Sequence, residues 1–361
     1  MQLINKRNEL WYQHKRNPND TIKKENFIKK RKEVSACIQN TKSEYYNKTF
    51  AECKDQPAKM WQLINNLSCN KTTVKSIPNQ LRTQNGITSN KKEICEGFNK
   101  FFASVGSVLA NEIRKQHRHI DSVKHVPGSC SYILKTLPLA TNEEILKIIQ
   151  NLKSNTSSGL DGVNTKSIKC VANLIVGELT NCFNKCIREG TFPDSLKIAK
   201  ITPIYKSGIR SEPGNYRPIS VLPVLSKIFE RVLYNRRDQH LSRINYIYPK
   251  QYGFRPKSNT LSATIDLITN IKLKIDKKLI VLGLFVDLKK AFDSVSHELL
   301  LKKLSGIGLQ DSAYDIFKSY LSNRRQVVKI GENESNPEIV TYGIPQGSII
   351  GPLLFLIYIN N

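Results

Sequence analysis

Leu279-Ile280-Val281-Leu282-Gly283-Leu284-Phe285-Val286-Asp287-Leu288 is short, almost continuously apolar and rich in β-forming residues. Such a run reads as a central buried strand. Asp287 stands near its end. Burying a charge is costly unless it is paired or bound to a cation. The carboxylate is therefore expected at a cleft edge where a cation neutralises it. Lys289 and Lys290 flank the position and favour anionic ligands. Asp293 reads as the N-cap of a helix that starts near Ser294.

Working outward, that helix stops at Gly306, and Asp311 caps a further helix to about Leu321. Residues 326–330 and 338–342 read as two strands around the turn Gly331-Glu332-Asn333-Glu334-Ser335. Upstream, helical patterns cover about 222–241 and 260–276. A longer helix places Ile168, Val171, Leu174, Ile175, Leu179, Cys182, Phe183 and Ile187 on one face, and Gly190 with Pro193 ends it. Thr141 with Glu144 forms a capping box ahead of Ile145, Ile148, Ile149 and Leu152. Residues 153–162 are turn-rich. The alternation implies an α/β (α+β) fold with helices packed on a sheet, and no internal repeat is present.

Residues 1–135 read as a basic, mainly helical region. Lys6, Arg7, Lys15, Arg16, Lys23, Lys24 and the run from Lys29 to Lys32 recur at helix-like intervals. Trp61, Leu63, Ile64 and Leu67 form a short amphipathic patch. Phe98, Phe101, Phe102, Val105 and Leu109 form a clearer stripe, read as core packing. The polar stretch 117–131 reads as a linker.

The 361 residues suffice for two domains of ordinary size. Lys and Arg number 56 against 30 acids, a formal charge of +26. Self-repulsion of that size favours a polyanionic partner, nucleic acid first and an anionic membrane surface second. Eight cysteines occur without a CxxC pair, so neither a zinc ribbon nor a disulfide framework is indicated. Cys182 and Cys186 read as core thiols. His117, His119 and His125 before Cys130 read as a solvated loop and not as a metal site. The longest apolar stretch, 349–359, is too short to span a bilayer and contains Gly351 and Pro352. No secretory segment opens the chain.

Phe285-Val286-Asp287-Leu288-Lys289-Lys290-Ala291-Phe292-Asp293 closely resembles motif A of reverse transcriptases. Four further blocks fall in that family's order. Residues 199–208, Ala-Lys-Ile-Thr-Pro-Ile-Tyr-Lys-Ser-Gly, resemble the first fingers strand, and Asn215-Tyr216-Arg217-Pro218-Ile219-Ser220 resembles the second. Gln251-Tyr252-Gly253-Phe254-Arg255-Pro256-Lys257-Ser258 resembles the block before motif A in non-LTR and group II intron enzymes. Gly343-Ile344-Pro345-Gln346-Gly347-Ser348 with Gly351-Pro352 resembles motif B. The loop at Ser158-Gly159-Leu160-Asp161-Gly162 and its following helix are similar to the extension that non-LTR enzymes carry before the fingers. Five blocks in order are far more specific than any one. The resemblance is to reverse transcriptases of non-LTR retrotransposons (LINE and jockey-like elements). It covers about 150–361, most closely 195–361.

The resemblance implies right-hand polymerase fingers and a partial palm over 136–361, after the basic helical region 1–135. It implies RNA-directed DNA synthesis by two-metal nucleotidyl transfer with Mg2+ (or Mn2+). Asp287 would be the catalytic metal ligand. Phe292 would lie under the incoming sugar and exclude a 2′-hydroxyl. Lys206 and Arg217 would clamp the triphosphate, Arg in a bidentate way. Gln346 and Gly347 would shape the nucleotide pocket, while Gly253, Arg255, Pro345 and Ser348 would meet template or primer. The implied partners are an RNA template, a DNA primer and deoxynucleoside triphosphates, with no membrane. The implied compartment is intracellular, cytoplasm and/or nucleus. Two-metal chemistry needs at least two carboxylates around ions roughly 3.5–4 Å apart. The family supplies more from an aromatic-x-Asp-Asp turn after motif B, and this sequence has no Asp-Asp pair. Lacking that motif and a thumb, the chain is expected to be inactive alone. Two other readings stand beside this one: a non-catalytic RNA-binding relic and a group II intron-type maturase.

Overall fold

The computed structural model describes residues 2–18, 20–53, 56, 59–60, 64, 77–84, 86–116 and 132–360. The patch at Trp61, Leu63 and Leu67, the stretch 117–131 and the cluster of His117, His119, His125 and Cys130 lie outside the described residues. The chain divides into two compact units, Met1–Lys75 and Ser76–Asn361. The boundary falls earlier than residue 135 because the helix carrying the Phe98 stripe packs on the sheet of the second unit.

The first unit contains a helical hairpin, α1 (Gln2–Arg16) and α2 (Thr21–Glu52). Asp20 caps α2 by accepting the Lys23 N–H at 3.1 Å. Only Val34 is buried on α2, and nothing is buried on α1. The surface is basic, with some charge met locally by Lys6–Glu9, Lys23–Asp20 and Lys30–Glu33 pairs. Exposed pairs of this kind add little stability.

The second unit opens with a small hairpin, β1 (Leu81–Thr83) and β2 (Gly86–Thr88), before α3 (Lys91–Gln116). Next come α4 (Asn142–Asn151), α5 (Thr165–Glu189), β3 (Ile198–Tyr205), β4 (Tyr216–Val221), α6 (Val224–Arg243) and α7 (Thr260–Asp276). The described chain ends with α8 (His297–Gly306), α9 (Asp311–Leu321), β5 (Arg325–Ile330), β6 (Asn333–Glu334), β7 (Glu338–Ile339) and α10 (Gly351–Ile359).

The sheet runs β4-β3-β5-β6, with β7 also on β5. β3 pairs antiparallel with β4 and parallel with β5. Pro203 faces Pro218 in the β3–β4 register. Neither has an N–H, so they fit only a pair that exchanges no hydrogen bonds. Pairing of β3 with β5 stops at Ile201, so Pro203 breaks no ladder on that side.

α3 covers one face of the sheet. Phe98, Phe102, Ile94 and Cys95 bury against Ala199, Ile201, Tyr216, Val328 and Ile330. Asn99 lies in this apolar contact, fully buried, and is satisfied reciprocally. Its amide donates to the carbonyls of Gln326 and Asn336, and Gln326 donates back to its oxygen at 3.1 Å.

A second core joins α4, α5, α6, α8, α9 and α10. Phe229 stacks on Phe183 and Phe192, with centroids 4.5 and 5.1 Å away. Thr141 caps α4 as its capping box predicts, accepting the Glu144 N–H. The Glu144 side chain turns elsewhere, accepting from both Arg236 terminal nitrogens and from Asn235. Gly190 closes α5 in the left-handed conformation. The buried stripe of α5 is Ile168, Ala172, Val176, Thr180, Phe183 and Ile187. Val171, Leu174 and Cys182 are exposed, and Cys186 is half-buried. The small residues Ala172 and Thr180 occupy positions that a hydrophobicity pattern assigns to larger neighbours.

The run 279–288 departs from its expected form. It is exposed and belongs to no strand. Apart from Leu279 N–H to the Lys274 carbonyl, no backbone hydrogen bond within the described residues engages it. A strand needs partners for its N–H and C=O groups and a covered face, and neither is met. α7, just before it, buries no residue.

Two stability predictions follow from this packing. Phe229→Ala is expected to cost about 3–5 kcal/mol in urea unfolding, since it empties the centre of the ring stack. Burial pushes the Glu144 carboxyl up, but hydrogen bonds from Arg236 and Asn235 hold it below its ordinary 4.5. A depressed carboxyl adds stability above its unfolded pKa and loses it as pH falls through the folded value. Melting temperature should therefore fall below about pH 4.5, and Arg236→Met should flatten that acid-side slope. An unchanged slope in the variant would remove Glu144 as the cause.

Candidate active site

The first cluster sits on the β3–β4 hairpin. Ile204 faces Arg217 in register, and the Lys206 N–H continues the pairing by donating to the Asn215 carbonyl at 2.9 Å. Side chains two apart on a strand leave the same face, so Lys206 and Arg217 share one face of the hairpin tip. Both are exposed. The turn between them is stiffened by Tyr205 donating to the Gly208 carbonyl, Tyr216 to Arg210 and Asn215 to Ile209.

The second cluster forms around the loop 343–348. Its backbone rests on two other segments. Gly343 N–H donates to the Val295 carbonyl at 2.8 Å and Ile344 N–H to Phe292 at 2.9 Å. Ser220 N–H of β4 donates to the Gln346 carbonyl at 2.7 Å. Two glycines permit this approach. Gly343 (φ +82) and Gly347 (φ +114) adopt backbone that L side chains rarely take. A Cβ on Gly347 would stand 2.7 Å from the Ser220 carbonyl oxygen.

Phe292 is half-buried between rings from two other blocks. It stacks on Phe355 of α10 at 4.8 Å and meets Phe254 edge-on at 5.8 Å. Asp293, beside it, accepts from the Gln346 amide at 3.0 Å. Burial raises the Asp293 carboxyl, while Gln346 and Lys290 oppose the rise. Burial lowers the Lys290 ammonium against the pull of Asp293. Lys290 lies over the Phe101 ring at 4.5 Å. Asp293 is not the helix cap expected of it. Ser296 caps α8, accepting from the Leu299 N–H. Asp311 likewise caps nothing, because the residue before α9 is Gln310 and no side chain bonds there. The signal for Asp293 was present as a second carboxylate six residues after the first, but its partner lies 53 residues away.

The remaining expected site residues hold local structure. Arg255 donates to the Tyr248 and Pro249 carbonyls, and Gly253 is exposed in the same block. Ser348 is buried, donating to the Pro345 carbonyl and accepting from Gly351 N–H at the start of α10. His297 packs beneath the loop. Its Nε2 donates to the Gly343 carbonyl at 2.7 Å, and burial holds the ring below its usual pKa.

Asp287 is not brought to this cluster. It is exposed and has no hydrogen-bond or ion-pair partner among the described residues. The groove beside Ser220, Tyr342 and Gln346 is lined by Asp293 and not by Asp287. No group of three or more His, Cys, Asp or Glu side chains suited to a metal occurs among the described residues.

Residues 204–361 match the family of reverse transcriptases (RNA-dependent DNA polymerases). Those residues are a reverse transcriptase domain of the non-LTR retrotransposon kind. The chain is 34% identical over 217 residues to a probable RNA-directed DNA polymerase from transposon BS of Drosophila melanogaster, covering 60% of this chain and 24% of that protein. It is 31% identical over 230 residues to the RNA-directed DNA polymerase from mobile element jockey of the same fly, covering 63% and 25%. The chain thus spans about a quarter of the length of these relatives. β4, Lys206, the motif A turn and the loop 343–348 lie within the matched residues, whereas β3 begins before them at Ile198. No described helix is long and apolar enough to cross a membrane.

Gly347→Ala is expected to cost about 1–3 kcal/mol, from a left-handed backbone and a clash with a carbonyl. Gly177→Ala, helical with nothing within 4 Å of the added carbon, should instead stabilise by about 0.5–1 kcal/mol. Equal effects of the two in urea unfolding would dismiss the loop's close approach to β4.

Proposed function

We propose that this chain contributes the nucleotide- and template-holding part of an RNA-directed DNA polymerase. The substrates are a deoxynucleoside triphosphate and a DNA primer on an RNA template. The observation that carries the reading is the seating of loop 343–348 against both Phe292–Asp293 and β4. It unites three of the sequence blocks in one wall, next to a hairpin that presents two cations on one face.

Lys206 and Arg217 suit triphosphate oxygens, with the planar guanidinium able to take two at once. Phe292 offers a flat wall for a sugar, held from behind by Phe355. Gln346 donates to Asp293, which fixes the amide and leaves its oxygen for a ligand. Gly347 is exposed at the loop surface, and with Pro345 it lines the path of a base pair. Asp287, exposed and with no hydrogen-bond or ion-pair partner among the described residues, is the carboxylate suited to a divalent cation, magnesium or manganese. Magnesium sites with one or two carboxylates complete their shell from water and substrate phosphates. Such an ion, when bound, neutralises phosphate charge. Asp293 is committed to Gln346 and is not assigned to metal.

Binding of a fluorescent RNA–DNA template–primer, followed by titration with the complementary deoxynucleotide and Mg2+, tests this reading. A nucleotide-dependent rise in affinity is expected. Lys206→Ala and Arg217→Ala should each weaken the nucleotide step about tenfold, the weight of one charge-assisted bond. Phe292→Val should narrow the preference for deoxy- over ribonucleotide. Template–primer affinity should fall steeply with salt as counterions are displaced. Salt-dependent RNA binding without any nucleotide response, unchanged in Asp287→Ala, would instead identify a non-catalytic RNA-binding protein.

A further inference from the structure

Glu230 of α6 is fully buried, yet it is an acid in the middle of an apolar core. One carboxyl oxygen accepts from the Tyr320 hydroxyl of α9 at 3.0 Å. The other accepts from the Ile349 N–H at 2.6 Å, at the end of the nucleotide loop. Arg324, itself buried, lies close enough to influence the same group electrostatically. Its guanidinium sits over the Tyr320 ring at 4.6 Å and donates to the Tyr320 carbonyl. Burial pushes the Glu230 carboxyl up, and Arg324, the Ile349 and Ile350 amides and Tyr320 pull it down. Two helices, the short connection carrying Arg324 and the loop therefore converge on one side chain.

Stability alone gives a poor account of this arrangement. A buried ionic group is often matched or bettered by apolar residues of the same volume. What a carboxyl supplies, and an apolar group does not, is direction. Two donors must meet its two oxygens, which fixes the axial position of Ile349 relative to α6. The N–H groups just before α10 also carry the positive end of that helix, which favours an acid there. Ile349 follows Ser348 directly, so its placement sets the end from which Gln346 and Gly347 hang.

We propose that Glu230 is a positioning residue for the nucleotide pocket, holding loop 343–350 in register through the Ile349 amide without touching the nucleotide. The inference rests on the polymerase reading for its functional half. Its structural half stands on the hydrogen bonds alone. Glu230→Gln keeps the shape but sets an NH2 against one of the two donors. The double variant Glu230→Gln/Arg324→Gln does the same without leaving a lone buried cation, so it guards against simple misfolding.

The test uses the whole chain. Hydrogen exchange of peptides covering 343–352 should quicken about tenfold in both variants, as loss of one strong bond implies. Peptides from β3 and α3 should not change. Deoxynucleotide affinity on a bound template–primer should fall about tenfold, while template–primer affinity stays within about twofold. A generally loosened fold would move both affinities, and that result overturns the proposal. Unchanged exchange over 343–352 also overturns it. If wild-type chain takes no nucleotide at all, the polymerase reading fails. The exchange result then decides the loop-anchoring claim alone.

Discussion

Three backbone hydrogen bonds fix the loop 343–348 between its neighbours: Gly343 to Val295, Ile344 to Phe292 and Ser220 to Gln346. Residues 343–348 have no ladder of their own before α10 begins. Buried peptide groups must find partners, so the loop takes them from the turn after 287 and from β4. This is possible only at short range, which is why Gly343 and Gly347 stand where they do. Gly106 on α3 plays the same part from the other side. A Cβ there would meet the Asp293 carbonyl at 2.2 Å and the Tyr342 side chain at 2.6 Å. The sheet core and the helical core thus meet across one small loop, and displacement of either core displaces the loop.

The acids are spent economically against a charge of +26. Glu144 clasps Arg236, Glu230 gathers Tyr320 and Ile349, and Asp293 holds Gln346. Each of these meets a named donor, so each is structural in the sense that its removal leaves a donor unmet. Asp287 differs because no described group answers it. The same logic separates Lys206 and Arg217, displayed on a hairpin, from Arg236 and Arg324, which are buried and bonded. Charge type did not distinguish these groups; accessibility and bonding did.

Much of the fold was legible in the sequence because its signals are local. Thr141, Gly190 and Pro193 mark helix ends by side-chain or backbone chemistry acting within a few residues. The β3–β4 hairpin, by contrast, was expected from the resemblance of residues 199–208 and 215–220 to two fingers strands, and the structure pairs them. Local signals mislead when two candidates compete. Asp293 and Ser296 both suit a cap, and tertiary contact with Gln346 decided for Ser296. Glu230 gave no signal at all. In a helix written Lys227-Ile228-Phe229-Glu230-Arg231-Val232, it reads as a surface acid among core residues. Its burial follows only from the way α9 and the loop close over it.

The run 279–288 is the instructive failure. Its composition states a demand for burial, and that demand is real: Ile280 and Leu282 are almost wholly exposed, and α7 beside it shows Leu261, Ile265 and Leu273 to solvent. Composition does not state who meets the demand. A helix closes its own hydrogen bonds and needs only a covered stripe, so its existence is readable from one segment. A strand borrows both its hydrogen bonds and its covering from elsewhere in space. Strand character belongs to a pair of segments, and a reading confined to one of them fixes the propensity and leaves the pairing open. The orientation of Asp287 depends on that same pairing, because side-chain direction alternates along a strand and is free along an exposed segment. The placement of Asp287 therefore rests on the least local interaction in the domain, while the loop 343–348, built on tight backbone contacts, stands without it.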